Sequence, residues 1–169
     1  TYGPELLRRP EYRASPTPKV PGTDGQTMSK SYNNTITIFA EGKDLKKQVN
    51  GIVTDSREPA EAKEPKGLAV YEILELFLSD DEKTAWTQRL RAGGVGYGDL
   101  KKEIMAKMDA RFGEARQRYT RLMTTSEGEA ELEAILDKGA RTARAVAKQT
   151  LARCYDAVGM DNAARRLRS

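Results

Sequence analysis

From residue 67 almost to the C-terminus, apolar residues recur at intervals of three and four, which predicts helices throughout. Leu68, Val70, Tyr71, Ile73, Leu74, Phe77 and Leu78 are apolar around much of a helical circumference and predict the central helix of a domain. Ser79 with Glu82 three residues on is a capping-box pattern that starts a second helix. That helix carries Trp86, read as core, and Leu90. Gly93-Gly94-Val95-Gly96-Tyr97-Gly98 lacks the lysine spacing of a P-loop and reads as a tight interhelical turn. Asp99 then caps a long amphipathic helix marked by Leu100, Ile104, Met108, Phe112, Ala115, Tyr119 and Leu122. Thr125 to Glu129 breaks the pattern and places acids in the first turn of a last helix. Its apolar stripe runs through Leu132, Ile135, Leu136, Val146, Leu151 and Val158, and Gly159 closes it. A short connection between two long helices predicts antiparallel packing.

The first 66 residues have a different texture. Pro4, Pro10, Pro16 and Pro18 predict an extended connector with at most one helical turn near Glu5–Arg9. Lys19-Val20 reads as a strand end, and Thr35-Ile36-Thr37-Ile38-Phe39 alternates as a short extended segment. Asp44 to about Val53 reads as a short helix with Leu45 and Val49 inward. Residues 57–66 are charged, contain two prolines and read as a linker. The expected division is therefore 1–56, a linker over 57–66, and a helical domain over 67–169.

Composition narrows the chemistry. Of 169 residues, 38% are hydrophobic and 32% charged, with 29 basic and 25 acidic side chains, so bulk charge alone names no partner. The absence of histidine removes Ser/His and Cys/His catalysis and most transition-metal sites, and no metal ligands are assigned. The single Cys154 forms no internal disulfide and reads as a small buried hydrophobe. No apolar run is long enough to cross a bilayer, and the expected compartment is the cytoplasm. The chain starts at Thr1, and the expectation is a piece of a longer protein.

The charge is unevenly spread. From Lys138 onward there are eight basic residues against two acids. Arg141, Arg144 and Lys148 share one helix face, and Arg111, Arg116, Arg118 and Arg121 lie on the preceding helix. Each could belong to a solvated face, but together they point to a polyanionic partner, for which RNA fits.

The stretch Pro21 to Asn34 is too polar and too glycine-rich to be core. Gly22 and Gly25 are candidate hinges. Lys30 stands between Ser29 and Ser31, a grouping that suits phosphate, although an ordinary solvated loop has the same composition.

Met28-Ser29-Lys30-Ser31 resembles the Lys-Met-Ser-Lys-Ser motif of class I aminoacyl-tRNA synthetases. With Pro-Gly-x-Asp-Gly before it and Tyr-x-Asn-Thr-Ile after it, the loop is similar to that of the tryptophanyl-tRNA synthetase family. Val53-Thr54-Asp55-Ser56, Gly96-Tyr97-Gly98-Asp99-Leu100-Lys101 and Gly139-Ala140-x-x-Ala143 resemble three further family stretches, in the same order. The resemblance implies a mainly α fold: an all-helical, anticodon-binding-type bundle preceded by the tail end of a Rossmann-type α/β catalytic domain. It implies ATP and Mg²⁺ as cofactors, and tryptophan and tRNA(Trp) as substrate and partner. It further implies a homodimer, with no membrane association. Met28, Ser29, Lys30 and Ser31 would hold ATP, and Lys30 would be catalytic. The tRNA-binding candidates become Arg111, Arg118, Arg141, Arg144 and Lys148. Two departures stand out. The motif's first lysine is Thr27 here, and a His-x-Gly-His element is impossible without histidine. The expectation is that the chain alone forms no tryptophanyl-adenylate. Two other readings are a non-catalytic helical RNA-binding module that retains a remnant lysine loop, and a helical protein-docking module.

Overall fold

The computed structural model describes residues 6–14, 17 and 19–160. Pro4, Pro16, Pro18, Arg165, Arg166 and Arg168 lie outside them, and residues 6–9 contain bends rather than a helical turn. The described chain is mainly α. Its helices are α1 (Gly42–Asn50), α2 (Ala69–Glu75), α3 (Asp80–Ala92), α4 (Tyr97–Thr124) and α5 (Ser126–Ala157), with a short 3₁₀ turn at Lys30–Tyr32.

The expected extended segment at residues 35–39 does not become a strand. Among the described residues the one β-type pairing is an isolated bridge between Pro21 and Thr27. Ile36 points into the core as the alternation requires. The next backbone N–H, of Thr37, goes to the Gln48 Oε1 of α1 at 2.7 Å, and Thr37 then closes a turn by accepting from Ala40. With no neighbouring strand to share a ladder, the β-branched residues stay extended only for as long as they reach α1.

The chain divides into two compact units, residues 14–118 and residues 1–13 with 119–169. In the first, one core joins Leu45, Val49 and Ile52 to Val70, Ile73, Leu74, Leu90, Leu100, Ile104 and Met108. Full burial of such side chains stabilises by about 1.5–3 kcal/mol each. α2 lies at its centre: Ala69, Val70, Tyr71, Ile73 and Leu74 are all buried, as an all-round apolar helix demands. The Tyr71 hydroxyl is satisfied by the Lys83 carbonyl at 3.2 Å and Thr87 Oγ1 at 3.1 Å. Trp86 is core, with the Arg89 guanidinium 4.4 Å above its ring. The capping box forms: Ser79 Oγ accepts from Glu82 N, and the Glu82 carboxylate accepts from Ser79 N at 2.8 Å. Asp99 sits inside the first turn of α4 and reaches back to Gly96 N at 3.2 Å, so it completes the cap from within the helix.

Residues 57–66 are folded onto this unit. Lys63 is 1% exposed, and its ammonium donates to the carbonyls of Glu58 at 2.6 Å and Glu61 at 2.9 Å beneath the Tyr97 ring. Lys63 N donates to Leu90 O at 2.8 Å, and Gly94 N donates to Pro59 O at 2.8 Å. At Gly93 (φ 80°) an added Cβ would sit 2.4 Å from the Ala60 carbonyl oxygen. The glycine run after α3 is therefore the seat of segment 57–66.

In the second unit, Thr125 caps α5 by accepting from Gly128 N at 3.0 Å, and Arg121 pairs with Glu131 at 2.5 Å. α5 ends at Gly159 (φ 77°), where Met160 N donates to Tyr155 O and Gly159 N to Asp156 O in a Schellman arrangement. Along the middle of α5 the apolar stripe is exposed: Ile135 46%, Leu136 62% and Val146 64%. The buried seam expected of an antiparallel pair does not form at these positions. Cys154 is half-buried rather than core.

Candidate functional site

The loop from Pro21 to Asn34 is built around Asn34, a polar residue only 2% exposed. Its Oδ1 accepts from Ser29 N at 2.8 Å. Its Nδ2 donates to Asp24 Oδ1 at 2.7 Å and to Thr27 O at 3.2 Å. Its own carbonyl accepts from Thr23 N at 2.9 Å. Asp24 Oδ1 also accepts from Gln26 N at 3.0 Å. The Asn34 amide is the first cause that lowers the Asp24 pKa.

Gly22, a candidate hinge, is closely packed here. An added Cβ would lie 2.3 Å from Asn34 Nδ2, and its φ is not positive, so this glycine gives Asn34 room. Gly25, at φ 80°, does take the left-handed conformation at the tip of the turn.

Met28 is half-buried against the core cluster, and its N–H donates to Val20 O at 2.8 Å. It anchors the loop. Ser29 caps the 3₁₀ turn, its Oγ accepting from Ser31 N at 3.3 Å. Lys30 and Ser31 are exposed beyond that cap. The turn ends at Asn33, which adopts φ 53°. The result is an exposed lysine and hydroxyl on a pinned backbone.

Two of the other three stretches singled out in the sequence, residues 53–56 and 96–101, meet beneath this loop. Thr23 O accepts from Val53 N at 2.7 Å. The Asp55 carboxylate accepts from the Tyr97 hydroxyl and from Arg57 Nε, the latter at 2.7 Å. Arg57, then Tyr97, hold the Asp55 pKa well below the usual carboxylate range. The Lys101 ammonium donates to Asn50 O and Ile52 O at 2.8 Å each, closing the C-terminal end of α1, and partial burial lowers its pKa. A cavity of about 490 Å³ opens beside this junction, lined by Gly25, Thr54, Asp55, Arg57, Lys66 and Glu72; Lys30 is not in its lining.

The arginines separate into two groups. Arg116 is 6% exposed; it pairs with Asp109 and donates to Ile38 O at 3.2 Å, so it is structural. Arg121 is engaged by Glu131. Arg111, Arg118 and Arg144 are exposed, Lys148 is half-buried, and Arg141 is exposed but ion-paired with Asp137 at 2.6 Å. Exposed i,i+4 pairs of that kind are weak and exchange readily. Among the described residues no three His, Cys, Asp or Glu side chains converge as metal ligands. No described helix is long and apolar enough to cross a membrane.

Asn34, Lys63 and Lys101 carry roles that sequence reasoning missed. Asn34 and Lys101 lay within the motifs quoted above, but their hydrogen-bond partners are set by the fold. Nothing near Lys63 in the sequence marks it as buried.

No family model matches the chain. It is 38% identical over 157 residues to the tryptophan–tRNA ligase of Campylobacter jejuni strain RM1221, covering 92% of this chain and 48% of that protein. It is 38% identical over 161 residues to the ligase of Xanthomonas axonopodis pv. citri strain 306, covering 94% and 36%. The crystal structure of tryptophanyl-tRNA synthetase from C. jejuni superposes with a TM-score of 0.73 at 39% identity over 92% of this chain and 47% of that one. The chain is homologous to the C-terminal portion of tryptophan–tRNA ligases. It spans about half the length of the C. jejuni ligase. A further structure of that C. jejuni ligase, complexed with ADP and tryptophan, superposes with a TM-score of 0.75 at 38% identity over 92% and 48%. Residues 21–34, 53–56 and 96–101, three of the four stretches singled out in the sequence, are tied together by the hydrogen bonds above.

Proposed function

We propose that this chain supplies the phosphate-gripping loop and the tRNA-contacting helices of a tryptophan–tRNA ligase. In this reading residues 1–56 are the end of the catalytic domain, 57–66 the connection and 67–169 the tRNA-binding helices. The observation that carries the reading is the loop itself: an exposed Lys30 on a backbone pinned by Asn34, in a chain 38% identical to such ligases.

Tryptophan activation places the amino-acid carboxylate on the α-phosphorus of ATP and releases pyrophosphate. Negative charge grows on the departing phosphates. Lys30 is a compact cation that can follow that charge, and the Ser31 hydroxyl and loop N–H groups can donate to the same oxygens. Met28 and Ser29 set the backbone that presents them. In this reading Mg²⁺ accompanies the nucleotide; among the described residues no three His, Cys, Asp or Glu side chains converge to hold it. Arg111, Arg118, Arg141, Arg144 and Lys148 are the proposed contacts to tRNA(Trp). A homodimer in the cytoplasm is the expected working state.

The deciding experiment uses the complete ligase. Lys30→Ala should lower the rate of tryptophan activation by about 10²–10³-fold with little change in tryptophan binding. An equal loss in both would remove Lys30 from the transition state. Binding of a tRNA(Trp) transcript should weaken steeply as salt rises; affinity indifferent to salt would overturn the RNA assignment and favour a protein-docking module.

A further inference from the structure

We propose that Asn34 is the positioning residue of the lysine loop, fixing the backbone at Ser29 so that Lys30 is presented to phosphate without further ordering. The inference rests on the reading of this loop as a phosphate grip and adds to it a residue that never touches the ligand.

The geometry supports one carboxamide doing this work. Asn34 follows the loop in sequence but sits inside it, 2% exposed. Both amide hydrogens are used on the limb before the lysine, toward Asp24 and Thr27. The amide oxygen is used on the lysine's own limb, at Ser29 N. One planar group thus ties the two limbs together, and only an amide has donors and an acceptor to do so at once. An aspartate in its place would keep the bond to Ser29 N but face the Asp24 carboxylate, 2.7 Å away, with a second negative charge. Gly22 shows how closely the group is packed, since even a methyl there would overlap the amide. The Ser29 N–H is held immediately before the 3₁₀ turn that carries Lys30, so releasing it frees the lysine backbone directly. A loop ordered in advance spares the conformational cost that a flexible one would meet on binding phosphate.

The test uses the complete ligase labelled for amide exchange, with inorganic pyrophosphate as the probe. Asn34→Ala should speed exchange at Ser29 N–H by about tenfold or more and weaken pyrophosphate binding by a similar factor. The amides of Leu90, Leu100 and Ile104 should exchange as before. Asn34→Asp keeps the acceptor for Ser29 N but repels the Asp24 carboxylate, so it should speed Ser29 exchange less than the alanine variant while still weakening pyrophosphate binding. The exchanged pair Asp24→Asn with Asn34→Asp restores a donor opposite a carboxylate but leaves Thr27 O without its donor, and should recover part of the Ser29 protection and the pyrophosphate binding. Lys30→Ala should lose pyrophosphate binding with Ser29 protection intact. Unchanged Ser29 exchange in Asn34→Ala, or an exchanged pair no better than Asn34→Asp, would overturn the proposal. If the unaltered ligase binds no pyrophosphate, the phosphate reading fails, and Ser29 exchange alone then decides whether Asn34 sets the loop.

Discussion

Tyr97, at the first turn of α4, donates its hydroxyl to the carboxylate of Asp55, 42 positions earlier in the chain. The bond fastens the helix start to the segment that follows α1. Two residues before Asp55, Val53 N is bonded to Thr23 O of the lysine loop. The loop is therefore anchored, through short backbone steps, to the segment after α1 and to the start of α4.

This relationship predicts a titration. Burial first, and the bond to Asp55 second, push the Tyr97 hydroxyl up to about 12 from an ordinary value of 10.0. The folded phenol keeps its proton to higher pH than the unfolded one. Its stabilising contribution is thus complete below pH 10 and is lost as pH rises toward 12. The alkaline absorbance titration of the chain, less that of Tyr97→Phe, isolates this group. Asp55→Asn should move its transition downward, though not fully to the ordinary value, because burial remains. A transition unmoved by Asp55→Asn would mean that the bond contributes nothing.

An acid-side counterpart lies at the start of α3. The Lys107 ammonium first, and the Ser79 N–H after it, hold the Glu82 carboxyl at about 2 instead of 4.5. A depressed carboxylate stabilises the fold above its unfolded pKa and loses that contribution as pH falls, here between 4.5 and 2. Glu82→Gln should flatten the dependence of stability on pH in that window. Lys107→Met should shift acid unfolding to higher pH, and the two changes should not add. Simple additivity would show that the pair is not coupled.

Gly93 and Gly94 look alike in the sequence and should respond differently. Both have positive φ, 80° and 86°. Only at Gly93 would a Cβ meet anything, the Ala60 carbonyl oxygen at 2.4 Å; at Gly94 there is open space. Gly94→Ala should cost about 1 kcal/mol of backbone strain. Gly93→Ala should cost about 2–3 kcal/mol more, because segment 57–66 must also move. Denaturant midpoints of the two variants compare them directly, and equal losses would show that the close approach to Ala60 is unimportant.

What was legible in the sequence follows from how local each signal is. The Ser79–Glu82 box and the Gly159 terminus lie within a few residues of what they bond, and each formed where the pattern placed it; α5 likewise starts within Thr125 to Glu129, with Thr125 its cap. The lysine loop was legible as a motif. Its internal order was not, because the Asn34 carboxamide bonds residues five to ten positions away and is buried only once the loop has closed. Residues 57–66 read as a linker because proline and charge ordinarily mean solvent. Lys63 nonetheless packs the segment by donating to carbonyls that its own residues turn inward. The periodicity of α5 identified an apolar face correctly but could not say what covers it; Leu136 and Val146 remain exposed.

Lys63 gives the sharpest test of whether segment 57–66 is a folded part of its unit. Its ammonium is buried and satisfied by main-chain carbonyls at 2.6 and 2.9 Å, with the Tyr97 face 5.3 Å away. Lys63→Met keeps the length of the stem and removes the donors, leaving the Glu58 and Glu61 carbonyls without their partner. Losing charged hydrogen bonds in a buried setting should cost about 2–3 kcal/mol. Lys63→Gln retains two N–H donors on a shorter side chain and should recover part of that loss. If the carbonyls are what matter, both variants should also increase proteolysis within 57–66 before global unfolding, methionine more than glutamine. Equal destabilisation by the two variants, with the segment still protected from protease, would show that the stem packs there without any clamp.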